Sequence, residues 1–357
     1  MANQKSFLSK ISKNSKMGFL NYGIVLLFFV VITILRSTGT LSNTMNGQLI
    51  PICSYIIVAL ALNLVVGISG ELSLGHAGFM SIGAFSGVVI SGALKYSGFA
   101  HPVMRLVTAI VVGAFIAAIA GILIGIPVLR LRGDYLAIVT LAFGEIIKNV
   151  LNCLYVGIDE NGLHFSVTDE VHMDMAANGK TLIKGPQGAV GVEKIATFVA
   201  GIILLFVVLF IIQNLVNSHT GRAIMAIRDN RIAAEASGIN VTKYKMVAFV
   251  TSAAIAGAAG ALYGLNFSTI VPKKFDFNTS ILILVFVVLG GIGNLTGTII
   301  AAALLTVLPE ILREFQDYRM LAYAIVLILV MIATNNEKIR SLWKRFFSKK
   351  DKEEQKA

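Results

Sequence analysis

Charged residues are scarce in this sequence. They make up 14% of its 357 residues, whereas hydrophobic residues make up 56% and the mean hydropathy is +0.80. Soluble domains usually contain about a quarter charged residues. The composition therefore excludes an ordinary soluble protein and predicts an integral membrane protein.

Cysteine is nearly absent, with only Cys53 and Cys153 in the whole chain. Two cysteines cannot form a disulfide framework or a metal cluster. Both fall near the same predicted membrane face, so one disulfide is the alternative to the two free thiols that we expect.

Acidic residues are outnumbered by basic ones, 19 to 30, which gives a formal net charge of +11. The basic residues gather at the ends of hydrophobic runs. Lysines precede the first run without any acidic residue, and the segment after the last run is also basic. This is the positive-inside pattern of membrane proteins. We expect cytoplasmic termini, an even number of spans and no nucleic-acid partner.

About ten hydrophobic runs are long enough, or nearly so, to cross a bilayer. They predict an all-α polytopic membrane domain, 18–334, between a basic N terminus, 1–17, and a basic tail, 335–357. The first run, 18–35, follows basic residues as a signal peptide would, but no cleavage pattern closes it convincingly, so we predict a retained span. An acidic polar segment, 152–195, is predicted to be an external loop.

Two polar features of these runs and of the loop have simple interpretations. His164, His172 and Asp174 could bind a metal, but two histidines in an acidic surface loop are usually not ligands, and no metal site is expected. Glu145 and Lys148 are three residues apart and can pair on one helix face, the alternative being a polar lining of a pathway.

Small residues recur at three- and four-residue spacing in the seventh run, at Ala253, Gly257, Gly260 and Gly264. Such spacing lets helix backbones approach closely, because packing drives helix association in lipid. We predict close helix packing there.

Two glycine-rich segments, Gly67–Gly78 and Gly290–Gly297, interrupt apolar sequence, and their similar composition suggests weak structural repeats. Irregular backbone at membrane depth must be enclosed by protein or line a water-filled cavity. The candidates for lining or gating a pathway are Gly70, Glu71, Ser73, His76, Gly290, Gly291 and Asn294. The alternative for Glu71 and His76 is a hairpin turn with an ordinary hydrogen bond.

The most informative stretch is GRAIMAIRDNRIAAEASGIN, inside a polar basic segment at 216–245. At 3.6 residues per turn one flank is apolar, with Ile224, Ile227, Ile232 and Ala236. The other flank is polar, with Arg222, Asp229, Arg231 and Glu235, and Gly238 follows as a stop. This predicts one short amphipathic helix at a membrane surface, which either lies on lipid or receives movement from a soluble partner.

Four stretches, in this order, resemble the permease subunits of branched-chain amino acid ABC importers. They are NLVVGISGELSLGHAGFMSIGAF, LRGDYLAIVTLAFGEII, GRAIMAIRDNRIAAEASGIN and VLGGIGNLTG. The M-type subunit of the Liv system is resembled more closely than its H-type partner, over roughly residues 50–335. The resemblance implies a type II-like ABC importer permease in a bacterial plasma membrane.

In that family the cytoplasmic stretch is the coupling helix that docks onto an ATP-hydrolysing subunit. The resemblance therefore implies docking residues among Arg228, Asp229, Asn230, Glu235, Ala236 and Gly238. It also implies three kinds of partner: a homologous permease subunit in a heterodimer, two cytoplasmic ATP-binding subunits, and an external solute-binding protein.

The cargo implied by the resemblance is leucine, isoleucine or valine, and the chain itself would be no enzyme and would need no cofactor. The sequence departs from the family in the long external segment, where Lys184–Gly191 reads KGPQGAVG instead of a pattern with a threonine and paired glycines. This departure concerns the docking of the binding protein and, through it, the substrate.

Other functions remain as alternatives. An ABC permease could carry a sugar, a nucleoside, urea or a short amide. A secondary transporter driven by protons or sodium would need an intramembrane carboxylate, for which only Glu71 and Glu145 could serve. Neither is expected at the membrane centre, and the amphipathic helix would then have no role. A structural or signalling membrane protein would also leave that helix unexplained.

Overall fold

The computed structural model describes residues 21–39, 42–99, 101–130, 134–169, 173, 175, 178–312, 318, 321, 324, 325 and 328. The predicted basic termini, 1–17 and 335–357, lie outside this part of the chain, as do most of the last predicted span, 320–334, and the side chains of His172 and Asp174. The chain forms two units, 1–303 and 304–357. All the sites described below belong to the first unit, and of the second the end of one helix is described.

Eleven α-helices are described. They are α1 (Asn21–Ser37), α2 (Asn43–Asn63), α3 (His76–Tyr96), α4 (Pro102–Val128), α5 (Asp134–Cys153), α6 (Phe198–Asn217), α7 (His219–Asp229), α8 (Arg231–Ala236), α9 (Val241–Gly264), α10 (Phe277–Gly290) and α11 (Leu295–Ile311). A π-helical segment, Leu64–Ser69, continues α2.

Six helices are long and apolar enough to cross a membrane: α2 with its π-helical continuation, α3, α4, α5, α6 and α9. The run predicted at 18–35 forms the shorter helix α1, and α10 and α11, on either side of the second glycine-rich segment, are also shorter. The prediction of a polytopic helical membrane protein is confirmed.

Side chains at the helix starts set several of these boundaries. Thr197 accepts a hydrogen bond from Ala200 N at 3.3 Å before α6. Asp276 accepts one from Thr279 N at 3.0 Å before α10, and Pro102 opens α4. Ser, Thr, Asp and Asn at such positions satisfy backbone donors that have no helical partner, and proline there gives up no hydrogen bond.

The core of the first unit is α9 packed between α3 and α4. A Cβ atom added to Gly260 would lie 1.9 Å from the carbonyl oxygen of Met80 in α3. One added to Gly257 would lie 2.6 Å from the carbonyl oxygen of Gly113 in α4. These distances leave room for hydrogen but not for a methyl group. The close packing predicted from the small residues of α9 is confirmed.

The polar segment predicted as a loop contains most of a five-stranded antiparallel sheet, which the sequence analysis missed. Its strands are β1 (Tyr155–Asp159), β2 (Gly162–Ser166), β3 (Lys180–Lys184), β4 (Ala189–Val190) and β5 (Thr269–Ile270), in the order β2-β1-β3-β4-β5. Because α9 begins just after α8 and ends just before β5, the sheet and α8 lie at opposite ends of this helix of about 36 Å.

The sheet end is joined to the helices by a buried arginine of α4. The Arg105 side chain is 4% exposed, and its Nε and Nη2 donate to the carbonyl oxygen and hydroxyl of Ser91 at 3.2 and 3.1 Å. Its Nη1 donates to Glu193 at 2.9 Å, and Lys95 contacts the same oxygen at 3.0 Å. Hydrogen bonds from Lys95 and Arg105 hold the pKa of Glu193 below its usual value.

The pairing predicted for Glu145 and Lys148 is confirmed, and the cysteines and His164 also have defined surroundings. Cys53 is buried, Cys153 is exposed, and both are free thiols. Lys148 pairs with Glu145, whose other oxygen accepts from the backbone N of Phe277 at 3.1 Å. His164 bonds to Asp159 at 2.9 Å, and no cluster of three potential metal ligands occurs in the described part of the chain.

We expect Gly260→Ala to destabilise the protein, because the new methyl group would press α9 away from α3. Overpacking of this kind costs about 1–3 kcal/mol. The measurement is the temperature at which the protein in detergent stops eluting as a single species. Gly47→Ala in α2 is the matched control, since a Cβ there meets no atom within 4 Å. Equal behaviour of the two variants would contradict close packing at Gly260.

Glu193→Gln should lower thermal stability at neutral pH by about 1 kcal/mol, a modest value because the Glu193 side chain is 43% exposed. A lowered pKa means that the carboxylate stabilises the fold above the ordinary pKa of 4.5 and stops doing so as pH falls through the folded value. The difference from wild type should therefore be full above pH 4.5 and shrink below it. Glu160→Gln, in the exposed β1–β2 turn, should show no such difference, and a pH-independent effect of Glu193→Gln would refute the ion pair.

Candidate functional site

The central polar segment folds into two helices, α7 and α8, where one was predicted. The chain breaks at Asn230, whose backbone is extended at φ −154° and ψ 103°. Its side chain accepts from the backbone N of Ala233 at 3.0 Å and so caps α8. Asparagine competes with helical hydrogen bonding in this way. Gly238, at φ +80°, ends α8 as predicted.

The inner side of α7 and α8 is anchored to the membrane helices. Ile224 is buried with Leu64, Ile68 and Ala248. Ile227 is buried in a second cluster with Ala234 and Val241. The helix pair is thus packed against the π-helical end of α2 and against the start of α9.

The break at Asn230 changes which side of the second helix is buried. Ile232, predicted to share the apolar flank of Ile224 and Ile227, is 80% exposed, and Ala236 is exposed as well. The prediction was wrong for these two residues because it assumed one continuous helix. An isoleucine so exposed on a short polar helix is available for a protein partner.

The predicted docking residues Arg228, Asp229, Asn230, Glu235, Ala236 and Gly238 are all exposed. Glu235 and Arg231 form an ion pair at 3.0 Å along α8. We call the surface of Asp229, Asn230, Ile232, Glu235, Ala236 and Gly238 the outer face. It combines an apolar side chain, small residues and acidic groups.

Arg228 differs from the other five residues because its head group turns inward. Its Nη1 donates to the carbonyl oxygen of Gly67 at 2.9 Å. A Cβ added to Gly70 would lie 2.5 Å from Arg228 Cγ. This contact joins the first glycine-rich segment to the amphipathic stretch, and it was not predicted from the sequence.

The first glycine segment is a break between α2 and α3. After the π-helical turn, Gly70 adopts φ +74°, and the chain is irregular until His76. The backbone N of Leu74 donates to Thr140 Oγ1 at 3.0 Å, and a Cβ on Gly75 would lie 2.4 Å from the carbonyl oxygen of Thr140. The segment is therefore packed against α5.

His76 and Ser73 lie inside a buried hydrogen-bond network. Ser252 donates its single hydroxyl hydrogen to the Ala61 carbonyl oxygen at 2.5 Å, so it must accept from His76 Nε2 at 2.7 Å. His76 Nδ1 pairs with the Ser73 hydroxyl at 3.2 Å. Both ring nitrogens therefore have hydrogen-bond partners. This geometry favours a structural role and joins α2, α3 and α9.

Glu71 pairs with Lys245 of α9, and the two side chains are only 13% and 11% exposed. The pair holds the irregular segment to the first turns of α9. For Glu71, as for His76, the geometry favours the hairpin-turn alternative over contact with a transported solute.

The second glycine segment is a tight turn between α10 and α11. Gly291 and Gly293 have φ of +92° and +81°. A Cβ on Gly297 would lie 1.8 Å from the carbonyl oxygen of Gly290, and Asn294 Oδ1 accepts from Gly297 N at 3.3 Å. Glycine is needed here because the two sides of the turn touch.

Asn63 connects the two glycine segments, although the sequence analysis did not select it. Its Oδ1 accepts from Gly293 N at 2.8 Å, and its Nδ2 donates to Thr298 Oγ1 at 2.9 Å. A Cβ on Gly67 would lie 2.3 Å from Gly293 N. One feature of the sequence could have identified Asn63: it is a lone amide in an apolar span, one helical turn before Gly67.

Residues 45–334 match the family model described as branched-chain amino acid transport system / permease component. The high-affinity branched-chain amino acid transport system permease proteins LivM of Escherichia coli K12 and of Salmonella typhimurium LT2 are each 38% identical over 291 residues, 78% of this chain and 66% of each relative. LivH of Salmonella typhimurium LT2 is 26% identical over 284 residues, 78% of this chain and 89% of the relative. The match thus spans just under two thirds of the LivM proteins. No solved structure matches the chain.

Ser252→Ala should destabilise the protein by about 1–3 kcal/mol, because it leaves the Nε2–H of buried His76 without an acceptor. Thermal stability in detergent is the measurement. Ser86→Ala is the matched control, since Ser86 donates only to carbonyl oxygens of its own helix, α3. A loss no larger than that of the control would show that the network does not hold the three helices together.

Proposed function

We propose, from the premise that this chain belongs to the branched-chain amino acid transport system permease component family, that it forms part of the membrane pathway of an ATP-driven importer. The proposed cargo is a branched-chain amino acid: leucine, isoleucine or valine. The proposed location is the plasma membrane of a bacterium, with α7 and α8 on the cytoplasmic side.

The observation that carries this proposal is that the helix pair α7 and α8 has a buried inner side and an exposed outer face. Ile224 and Ile227 on its inner side are buried against the membrane helices, whereas the outer face presents an 80%-exposed isoleucine. A helix that only rested on lipid would bury its apolar residues on one side and leave polar ones on the other. Ile232 instead projects away from the helices that hold the pair. This arrangement supports docking of a soluble protein that moves.

The proposed partners follow from the same family. Similarity to both LivM and LivH supports a second, homologous permease subunit as the other half of the pathway. Two cytoplasmic ATP-binding subunits would dock on the outer face, one for each permease subunit. An external solute-binding protein would deliver the amino acid at the opposite end, where the five-stranded sheet lies.

In this proposal the chain contributes a conformational switch and no bond-making chemistry. ATP binding would draw the ATP-binding subunits together, and the outer face would follow the subunit docked on it. The buried contacts of Ile224 and Ile227 would pass that movement to α2 and α9. ATP can shift the pathway between outward-open and inward-open states only by binding one of them better.

The cargo and the coupling are tested together by uptake of radiolabelled leucine, isoleucine and valine in cells that express the whole complex. We expect ATP-dependent uptake, lowered at least about tenfold by Glu235→Arg, because this change breaks the pair with Arg231 and places like charges on the outer face. Lys243→Glu is the control: it reverses an exposed charge at the start of α9, outside the outer face, and should leave uptake nearly intact.

Three outcomes would contradict the proposal. Uptake of labelled ribose without uptake of leucine would indicate a sugar permease. Uptake that survives Glu235→Arg but stops when the proton gradient is collapsed would indicate a secondary transporter. Equal loss of uptake in Glu235→Arg and Lys243→Glu would mean that the outer face has no special part in coupling.

A further inference from the structure

The end of α7 is fastened to the break between α2 and α3 by Arg228. Gly67 lies in the last turn of the π-helical segment, where carbonyl groups lack helical donors. Arg228 Nη1 supplies a donor to Gly67 O at 2.9 Å. Arg228 Nε and Nη2 both donate to Asp229 Oδ1, at 3.0 and 2.9 Å. Three nitrogens of one planar group are thus engaged, which fixes its orientation.

The stem of Arg228 also packs against the backbone of Gly70. Gly70 has φ +74° and lies so close to the stem of Arg228 that a Cβ would be 2.5 Å from Arg228 Cγ. Arg228 therefore holds the first glycine segment at two points, Gly67 O and the backbone of Gly70. Movement of the end of α7 must displace this segment or break both contacts.

The first glycine segment contacts the second one just as closely. Gly67 and Gly293 meet backbone to backbone, with 2.3 Å from an added Cβ to Gly293 N. Asn63 is buried, and the two ends of its amide bind Gly293 N in the second segment and Thr298 Oγ1 in the first turn of α11. Thr298 Oγ1 in turn donates to Asn294 O at 2.9 Å. The buried amide of Asn63 is thus engaged at both its oxygen and its nitrogen.

We infer that Arg228 is a positioning residue that transmits movement of α7 and α8 to the Gly290–Gly297 turn, with Gly67 and Asn63 as the intermediate contacts. This gives Arg228 a role inside the chain, in place of the contact with an ATP-binding subunit predicted from the sequence. The inference rests on the proposed function, in which the helix pair receives movement from such a subunit. Densely packed protein interiors transmit displacements of this kind because they compress little.

Arg228→Lys distinguishes a role of Arg228 in this internal linkage from a role in contacting an ATP-binding subunit. Lysine keeps the positive charge but has a single ammonium group, which cannot reproduce the planar fork that binds Gly67 O and Asp229 together. A charge contact with a partner survives this substitution, whereas the internal linkage does not. Arg222→Lys is the matched control: Arg222 is exposed near the start of α7 and bonds only to the neighbouring Asn217 and His219.

The experiment uses the whole complex in lipid vesicles and measures leucine uptake and ATP hydrolysis on the same sample. We expect Arg228→Lys to retain its ATP-binding subunits and to hydrolyse ATP, while leucine carried per ATP falls about fivefold or more. Arg222→Lys should leave this ratio unchanged. Thr298→Val should lower the ratio, and the double variant with Arg228→Lys should lose less than the product of the single effects, because both act on one linkage.

Three results would overturn the inference. The first is an unchanged ratio of uptake to hydrolysis in Arg228→Lys. The second is loss of the ATP-binding subunits from the Arg228→Lys complex, which would make Arg228 a docking residue. A ratio lowered equally by Arg222→Lys would also refute it, because any arginine of α7 would then serve.

A second measurement does not depend on the cargo. A nitroxide label on Ile292→Cys, at an exposed site in the second glycine segment, reports on the turn in a Cys153→Ser background. Its spectrum should change when ATP is added, and Arg228→Lys should abolish the change. If the label responds to ATP but the complex does not transport leucine, the proposed cargo is wrong and the inference about Arg228 is unaffected. If the spectrum of the label does not change with ATP, or changes equally in Arg228→Lys, the inference about Arg228 is wrong whichever solute is transported.

Discussion

Backbone polar groups at the break between α2 and α3 have to be satisfied by the protein, because hydrocarbon offers no hydrogen bonds. Each neighbouring element provides a partner. Ser252 of α9 donates to Ala61 O, Thr140 of α5 accepts from Leu74 N, and Arg228 of α7 donates to Gly67 O. The break is therefore the place where the membrane helices and the helix pair are tied together. A continuous α2 would need none of these contacts, and α7 would then lack its hydrogen bond to the membrane helices through Arg228.

The sequence predicted those features that depend on local composition. Hydrophobic length identified the membrane helices, and small-residue spacing identified the face of α9 that contains Gly257 and Gly260. Glycine at position 238 was a correct helix stop, since few other residues adopt its φ of +80° without strain. The family resemblance rested on the same ordered motifs and was confirmed by the family match across residues 45–334.

Features that depend on long-range pairing could not be read from periodicity. The sheet has strands of two to five residues, too short to show alternation, and β5 joins it from beyond α9. The helix break at Asn230 depends on a side chain that bonds locally and caps α8, and beyond this break Ile232 is exposed. Asn63 looked like an isolated polar residue until the fold brought it to Gly293, 230 residues further along the chain.

The two glycine segments were predicted to be weak repeats, but their glycines solve different problems. In the first segment Gly67 and Gly70 make room for neighbours, namely Gly293 and the stem of Arg228. In the second, Gly290 and Gly297 make room for each other across a tight turn. The first segment is thus an interface between elements, whereas the second is a turn packed against itself. A displacement at α7 would therefore reach the first segment directly, at Gly67, and the second through Gly67 and Asn63, which is the order that the inferred linkage requires.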